Sequence, residues 1–175
     1  MSLSQKRTKR IIIIAFQDLL DTYMLDSITV NDICEKAMIH RSSFYRYFED
    51  KYDLLNEFTD YLGILFLDYL KEHSNKPFHD CFVDFIYPRR RIFINTVDKF
   101  GNPNQAINEA LANVILKRGH EMSSGLSKQI TNSTYPRLYA RFFAFGLGDV
   151  MGICLKDHKI TKKQLKMFIK ELVQE

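Results

Sequence analysis

Tryptophan is absent from this chain, and helix breakers are scarce: 7 glycines and 4 prolines in 175 residues. Few breakers between long apolar-periodic segments leave an all-α chain as the reading, long enough to bury a real core. Cysteine is sparse too. Cys34, Cys81 and Cys154 stand singly within apolar helical patterns, an odd count without metal spacing, so they read as buried thiols in a reducing compartment. A redox sensor needs a basic, exposed setting, which none of the three has. A large excess of one charge is also missing. The net charge of +4 is too modest for a non-specific nucleic-acid coat, so DNA binding would have to come from local placement of basic groups. Long apolar runs are lacking. Ile11 to Phe16 follow Lys6, Arg7, Lys9 and Arg10 like the start of a signal peptide, but the run stops at Gln17 and Asp18 with no small-residue cleavage site. Gly63 to Leu67, bracketed by Asp60 and Asp68, is the nearest approach to a span. The expectation is a cytoplasmic chain with no membrane partner.

Catalytic signatures are missing as well. No nucleophile elbow, phosphate-binding glycine loop, HExxH or paired-cysteine metal site occurs, and His40, His73, His79, His120 and His158 are scattered. No catalytic residue, metal or cofactor is expected, and the chain does not read as an enzyme.

What is present is the stretch from Thr29 to Lys51. Thr29 is an N-cap candidate with Asp32 three residues on. Val30, Ile33, Cys34 and Ala37 then form an apolar stripe on a helix of about two turns. Met38 and Ile39 make a turn. His40 to Phe48 form a second helix with Phe44 and Phe48 inward and Arg41, Ser42, Ser43, Tyr45, Arg46 and Tyr47 outward. Asp50 caps a third helix opening at Lys51. This is the layout of a helix-turn-helix, in which a braced second helix offers a narrow polar face to a major groove.

Those residues resemble the DNA-binding domain of TetR-family transcriptional regulators. Thr29, Ile33, Ala37, Ile39, Ser43, Phe44, Tyr45, Tyr47, Phe48, Lys51 and Leu54 occupy the pattern's places. Two positions depart from it: Met38 stands where the family has a turn glycine, which predicts a positive φ on a side-chain-bearing residue, and His40 stands where a capping serine is usual. His40 is a weak cap but a candidate DNA contact. The DNA-binding set is therefore Thr29, Asn31, His40, Arg41, Ser42, Ser43, Tyr45, Tyr47 and Lys51. Arg41 is placed at a guanine, and Tyr45, Tyr47 and Lys51 mainly position the head on phosphates. Lys6, Arg7 and Arg10 are phosphate candidates because the resemblance puts this end near the DNA backbone; Arg46 is a fourth.

The remaining chain reads as helices. The first runs from about Ser4 to Met24, and a long one from Lys51 to about Glu72 joins the head, residues 1–51, to a C-terminal helical domain, residues 52–175. Tyr87-Pro88 interrupts the next segment, where Arg89, Arg90 and Arg91 form either a solvated turn or an anion site or partner for acidic groups. Asn102, Pro103 and Gln105 start another helix. Tyr135 to about Lys156 carries Leu138, Phe142, Phe145, Val150 and Ile153 as an apolar face, with Gly146, Gly148 and Gly152 allowing close helix approach. Thr161 and Gln164 cap the last helix. This end is similar to the C-terminal domain of many TetR-type proteins of Firmicutes. A homodimer interface is expected at Gly146, Val150, Ile153, Leu165, Phe168, Ile169 and Leu172. An effector cavity is expected near Phe82, Phe85, Phe93, His120, Tyr139 and Phe142. The resemblance implies a homodimeric regulator, a repressor, that binds a double-stranded DNA operator under the control of a small-molecule effector. A second class stays open: an adaptor whose C-terminal domain binds a protein partner and whose head binds DNA weakly or not at all.

Overall fold

The computed structural model of the chain describes residues 2–96, 105–118, 129–130, 132–157 and 159–173, and every regular element among them is helical. The expected helix start at Asn102 and Pro103, and His120, lie outside the described residues. Helix α1, Leu3–Leu20, is started by a reciprocal Ser2–Gln5 capping box. It ends four residues before Met24, the expected end; the chain then makes a 3-10 turn at Leu25–Ser27, and Tyr23 points to solvent. Helices α2 (Val30–Ala37) and α3 (Arg41–Phe44) follow, then α4, Lys51–Glu72. Phe16, Ile28, Ile33, Phe44, Leu54 and Phe58 are fully buried together. Each such side chain contributes about 1.5–3 kcal/mol of transfer free energy. Phe16 and Phe58 meet edge to face at 5.8 Å.

A second core sits further along α4. Phe66 and Leu70 of α4 pack with α5 (Phe78–Ile86), α7 (Gln105–Arg118), α8 (Pro136–Lys156) and α9 (Lys162–Val173). The break at Tyr87-Pro88 is a 3-10 turn, Tyr87–Arg89, before α6, Arg90–Asn95. In the arginine run there, Arg90 and Arg91 are exposed, as a solvated turn requires, while Arg89 turns inward. The Arg89 guanidinium lies 4.1 Å from the centre of the Phe85 ring and donates to the Phe85 carbonyl; burial lowers its pKa, and Tyr69 opposes that shift. Arg90 lies over Tyr87.

Helix α6 reaches back to the head. Ile92 is buried in the head core, and Asn95 Nδ2 donates to the Leu20 carbonyl at the end of α1, 2.8 Å away. Helices α4 and α6 therefore both belong to two cores at once.

Helix α8 buries Ala140, Ala144, Leu147, Met151 and Leu155, not the stripe expected from the sequence. Leu138, Phe142 and Ile153 are 65%, 78% and 62% exposed. By length and composition α8 could cross a membrane, with a mean hydropathy of 1.4 over its most apolar window, of which 28% is buried. It replaces Gly63 to Leu67 as the nearest approach to a span. Gly148 is the close approach the glycines led one to expect: a Cβ there would overlap the Asn108 side chain of α7. Gly146 has nothing within 4 Å of a Cβ position.

Candidate nucleic-acid interface and effector cavity

The turn that projects the reading face is set by local hydrogen bonds. Thr29 Oγ1 accepts from the Asp32 amide at 3.2 Å, and Asp32 Oδ2 accepts from the Thr29 amide at 2.7 Å. The side-chain hydrogen bond from Thr29, and then its backbone N–H, hold the Asp32 carboxyl below the usual carboxylate range. Helix α2 ends at Met38, with φ 54° and ψ 46°, the positive φ expected where the glycine is missing. His40 caps α3 without any side-chain hydrogen bond. The α-helix that follows is a single turn, Arg41–Phe44, not the nine-residue helix from His40 to Phe48. The Tyr47 and Phe48 amides donate to the Phe44 carbonyl, so the chain continues as tight turns that still bury Phe44 and Phe48.

The structure brings Asn31, Arg41 and Tyr45 together on the exposed side. Arg41 Nη1 donates to Asn31 Oδ1 at 2.9 Å, and Nη2 to the Tyr45 hydroxyl at 3.1 Å. A guanidinium has five donors, so this clamp fixes its plane and leaves donors facing outward. Ser42 and His40 are exposed beside it, while Ser43 accepts from Arg46 at 3.1 Å and Tyr47 is half-buried against the head core.

Lys51 has a different place from the one expected. Its Nζ donates to the carbonyls of Leu25, Asp26 and Ile28 at 2.9, 3.1 and 2.9 Å. An ammonium has three donors, so none is left for a phosphate; Lys51 closes the end of the 3-10 turn onto α4. Of the basic residues on α1, Lys6, Arg7 and Arg10 are exposed, whereas Lys9 pairs with Glu57 at 2.8 Å and lies over the Phe48 ring.

The expected effector residues divide. Phe82, Phe85 and Phe93 line a cavity of about 90 Å³ between α4, α5, α6, α7 and α8. Tyr139 stands apart from it, donating to Gln129 and stacking on Phe143, and Phe142 is on the surface. The sequence reading missed Thr59, Gly63 and Asn108 in the cavity wall. Asn108 was detectable in principle, since it falls one turn before Ala112 on the buried side of α7.

The expected dimer residues divide likewise. Leu165 and Ile169 are 2% and 0% exposed within their own subunit's core, so they are removed from the interface set. Leu172 and Val150 are partly buried; Gly146, Ile153 and Phe168 remain exposed, and Leu138 and Phe142 join them. Cys34 and Cys81 are buried, and burial raises the pKa of Cys34 and, with the Asp157 charge second, of Cys154, which makes them poor nucleophiles.

A capped two-helix hairpin locked under a third helix, with an exposed arginine at its leading end, is a helix-turn-helix head, here carried on a larger helical body. Residues 24–58, which hold this hairpin, match the family of bacterial regulatory proteins, tetR family. It is 35% identical over 84 residues to the HTH-type dhaKLM operon transcriptional activator DhaS of Lactococcus lactis subsp. lactis (strain IL1403). That alignment spans 38% of this chain and 45% of the relative, less than half of either. The solved structure of a dihydroxyacetone kinase operon activator DhaS shares the fold across the chain, with a TM-score of 0.56 at 17% identity, covering 95% of this chain and 94% of that one.

Proposed function

We propose that the chain is a cytoplasmic, homodimeric transcription regulator that reads a double-stranded operator through Arg41, Ser42 and their neighbours, with a small-molecule effector held in the helical body. The observation carrying this is the Asn31–Arg41–Tyr45 clamp, which presents a guanidinium edge at the head of an exposed polar ridge. A guanidinium fixed in its plane suits the O6 and N7 acceptors of guanine. Lys6, Arg7 and Arg10 are the phosphate contacts in this reading, Arg46 an auxiliary one, and Lys51 a brace. Residues 1–51 form the reading head, α4 the link, and the rest the dimerisation and effector domain. Repression is what the family resemblance implied. The relatives named above are activators, so the sign is assigned here to operator position and not to the head.

The test is a mobility shift on the chain's own upstream DNA, followed by selection of bound sites from random duplexes. Arg41→Ala should lose about 1–3 kcal/mol of preference at one base pair while keeping most non-specific affinity. A wild-type protein that selects no site, yet retains a protein partner on a column, would put the adaptor reading in its place.

A further inference from the structure

The geometry points to a specific ligand chemistry for the cavity: a small, uncharged, largely apolar molecule that carries one hydroxyl or N–H donor, received by Asn108. Its role as an effector rests on the DNA-binding reading above; its binding does not.

The described wall is built mostly from aromatic and aliphatic side chains, and no charged residue among the described ones lines it. An ionised ligand would be desolvated there without a partner, at a prohibitive cost. Among the described residues, two polar side chains interrupt the wall. Asn108 is 4% exposed, and its Oδ1 is buried without a hydrogen-bond partner. Thr59 is 3% exposed and spends its hydroxyl proton on the Asn56 carbonyl at 2.8 Å, so its oxygen can only accept. Both groups therefore ask for a donor. A buried acceptor left unmatched carries a desolvation penalty that a ligand donor would recover. The Asn108 side chain lies against α8 at Gly148, where an added Cβ would overlap it. A cavity of about 90 Å³ is far larger than the space one water needs and smaller than one that takes benzene, so the ligand is a molecule of a few heavy atoms.

The ligand would also touch the parts that reach the head. Phe93 lines the cavity and packs on both cores, and its neighbour Ile92 is buried in the head core. Thr59 and Leu62 line the cavity from α4, with Leu62 also in the head core.

The probes are 1-butanol and its isomer diethyl ether, which match in atoms but differ in that only the alcohol donates. Each is titrated into the full chain without DNA, read by the backbone amide resonances of Gly63 and Gly148 in the cavity wall. The expected result is saturable shifts for both, with butanol binding about three- to tenfold more tightly. Asn108→Leu should abolish that preference, and Gly63→Leu, which fills the cavity, should abolish both titrations. No saturable shift with wild type, equal affinities for the two isomers, or a preference that survives Asn108→Leu would each overturn the assignment. The wild-type comparison stands even where a variant fails to fold. Butanol binding in a protein that shows no operator would sink the regulator reading and leave this one intact.

Discussion

Met38 shows what a single departure from a sequence pattern costs. Its left-handed backbone carries a side chain that is 91% exposed, so the strain is not repaid by packing. Met38→Gly should therefore raise stability by about 0.5–1 kcal/mol, seen as a higher urea midpoint at unchanged slope. His40→Ser should add a further ~0.5–1 kcal/mol by supplying the missing cap. Lys51 makes the opposite case. Lys51→Met removes three hydrogen bonds to carbonyls and should cost about 2 kcal/mol of head stability, while the salt dependence of DNA binding keeps its slope. Lys6→Ala, Arg7→Ala or Arg10→Ala should each flatten that slope by about one unit without touching stability. The sequence exposed Thr29, Asp32 and Asp50 because a cap and its partner lie within three residues. It hid the work of Lys51 because the carbonyls it serves lie 23 to 26 residues earlier. Position in a familiar pattern told where Lys51 sits, not what its ammonium holds.

Helix α8 shows the limit of periodicity at the level of an element. It is apolar on two faces, and a 3.6-residue pattern reports that faces exist, not which one meets the subunit's own core. The large residues Leu138, Phe142 and Ile153 drew attention, yet the inner face is built on Ala140 and Ala144, which are small enough to let α7 lie close. Helix α9 was read with its caps correct, Thr161 with Gln164, but with its buried side turned outward. What turns it inward is partly ionic. Lys162 and Lys166 both reach Asp84 on α5, at 2.7 and 2.9 Å, and Lys166 also reaches Asp80. Burial pushes the Asp84 carboxyl up, but the hydrogen bonds from Lys162 and Lys166 outweigh it and leave the pKa lowered. A carboxylate whose folded pKa is depressed adds stability above its unfolded pKa and loses it as pH falls through the folded one. Amide exchange in α9 should thus accelerate, relative to the head, as pH drops below about 4. Asp84→Asn should remove that pH dependence and loosen α9 at neutral pH as well. An α9 that stays equally protected down to acid pH would show that Leu165, Ile169 and Val173 hold it alone.

For the whole molecule, the deciding surface is the outer face of α8. Leu138, Phe142 and Ile153 lie one above another along it, Gly146 leaves a gap among them with no neighbour, and Met167 and Phe168 of α9 are exposed as well. A helix apolar on both sides is normally covered on both. A bilayer could cover this one, but the regulator proposed above needs two heads for two half-sites about one helical turn apart. A second copy satisfies both requirements at once, because an isologous contact pairs the same face with itself. The open space at Gly146 would let two α8 backbones come close. Phe142→Asp places an unpaired charge at the centre of that contact. It should turn a dimer into a monomer by light scattering, with the helical circular dichroism unchanged since Phe142 touches little of its own subunit. Operator affinity should fall far more than non-specific affinity, because each monomer then holds one half-site alone. A variant that stays dimeric would move the interface elsewhere. A variant that becomes monomeric yet binds the full operator as before would show that one head suffices, and the homodimeric part of the proposal would fail with it.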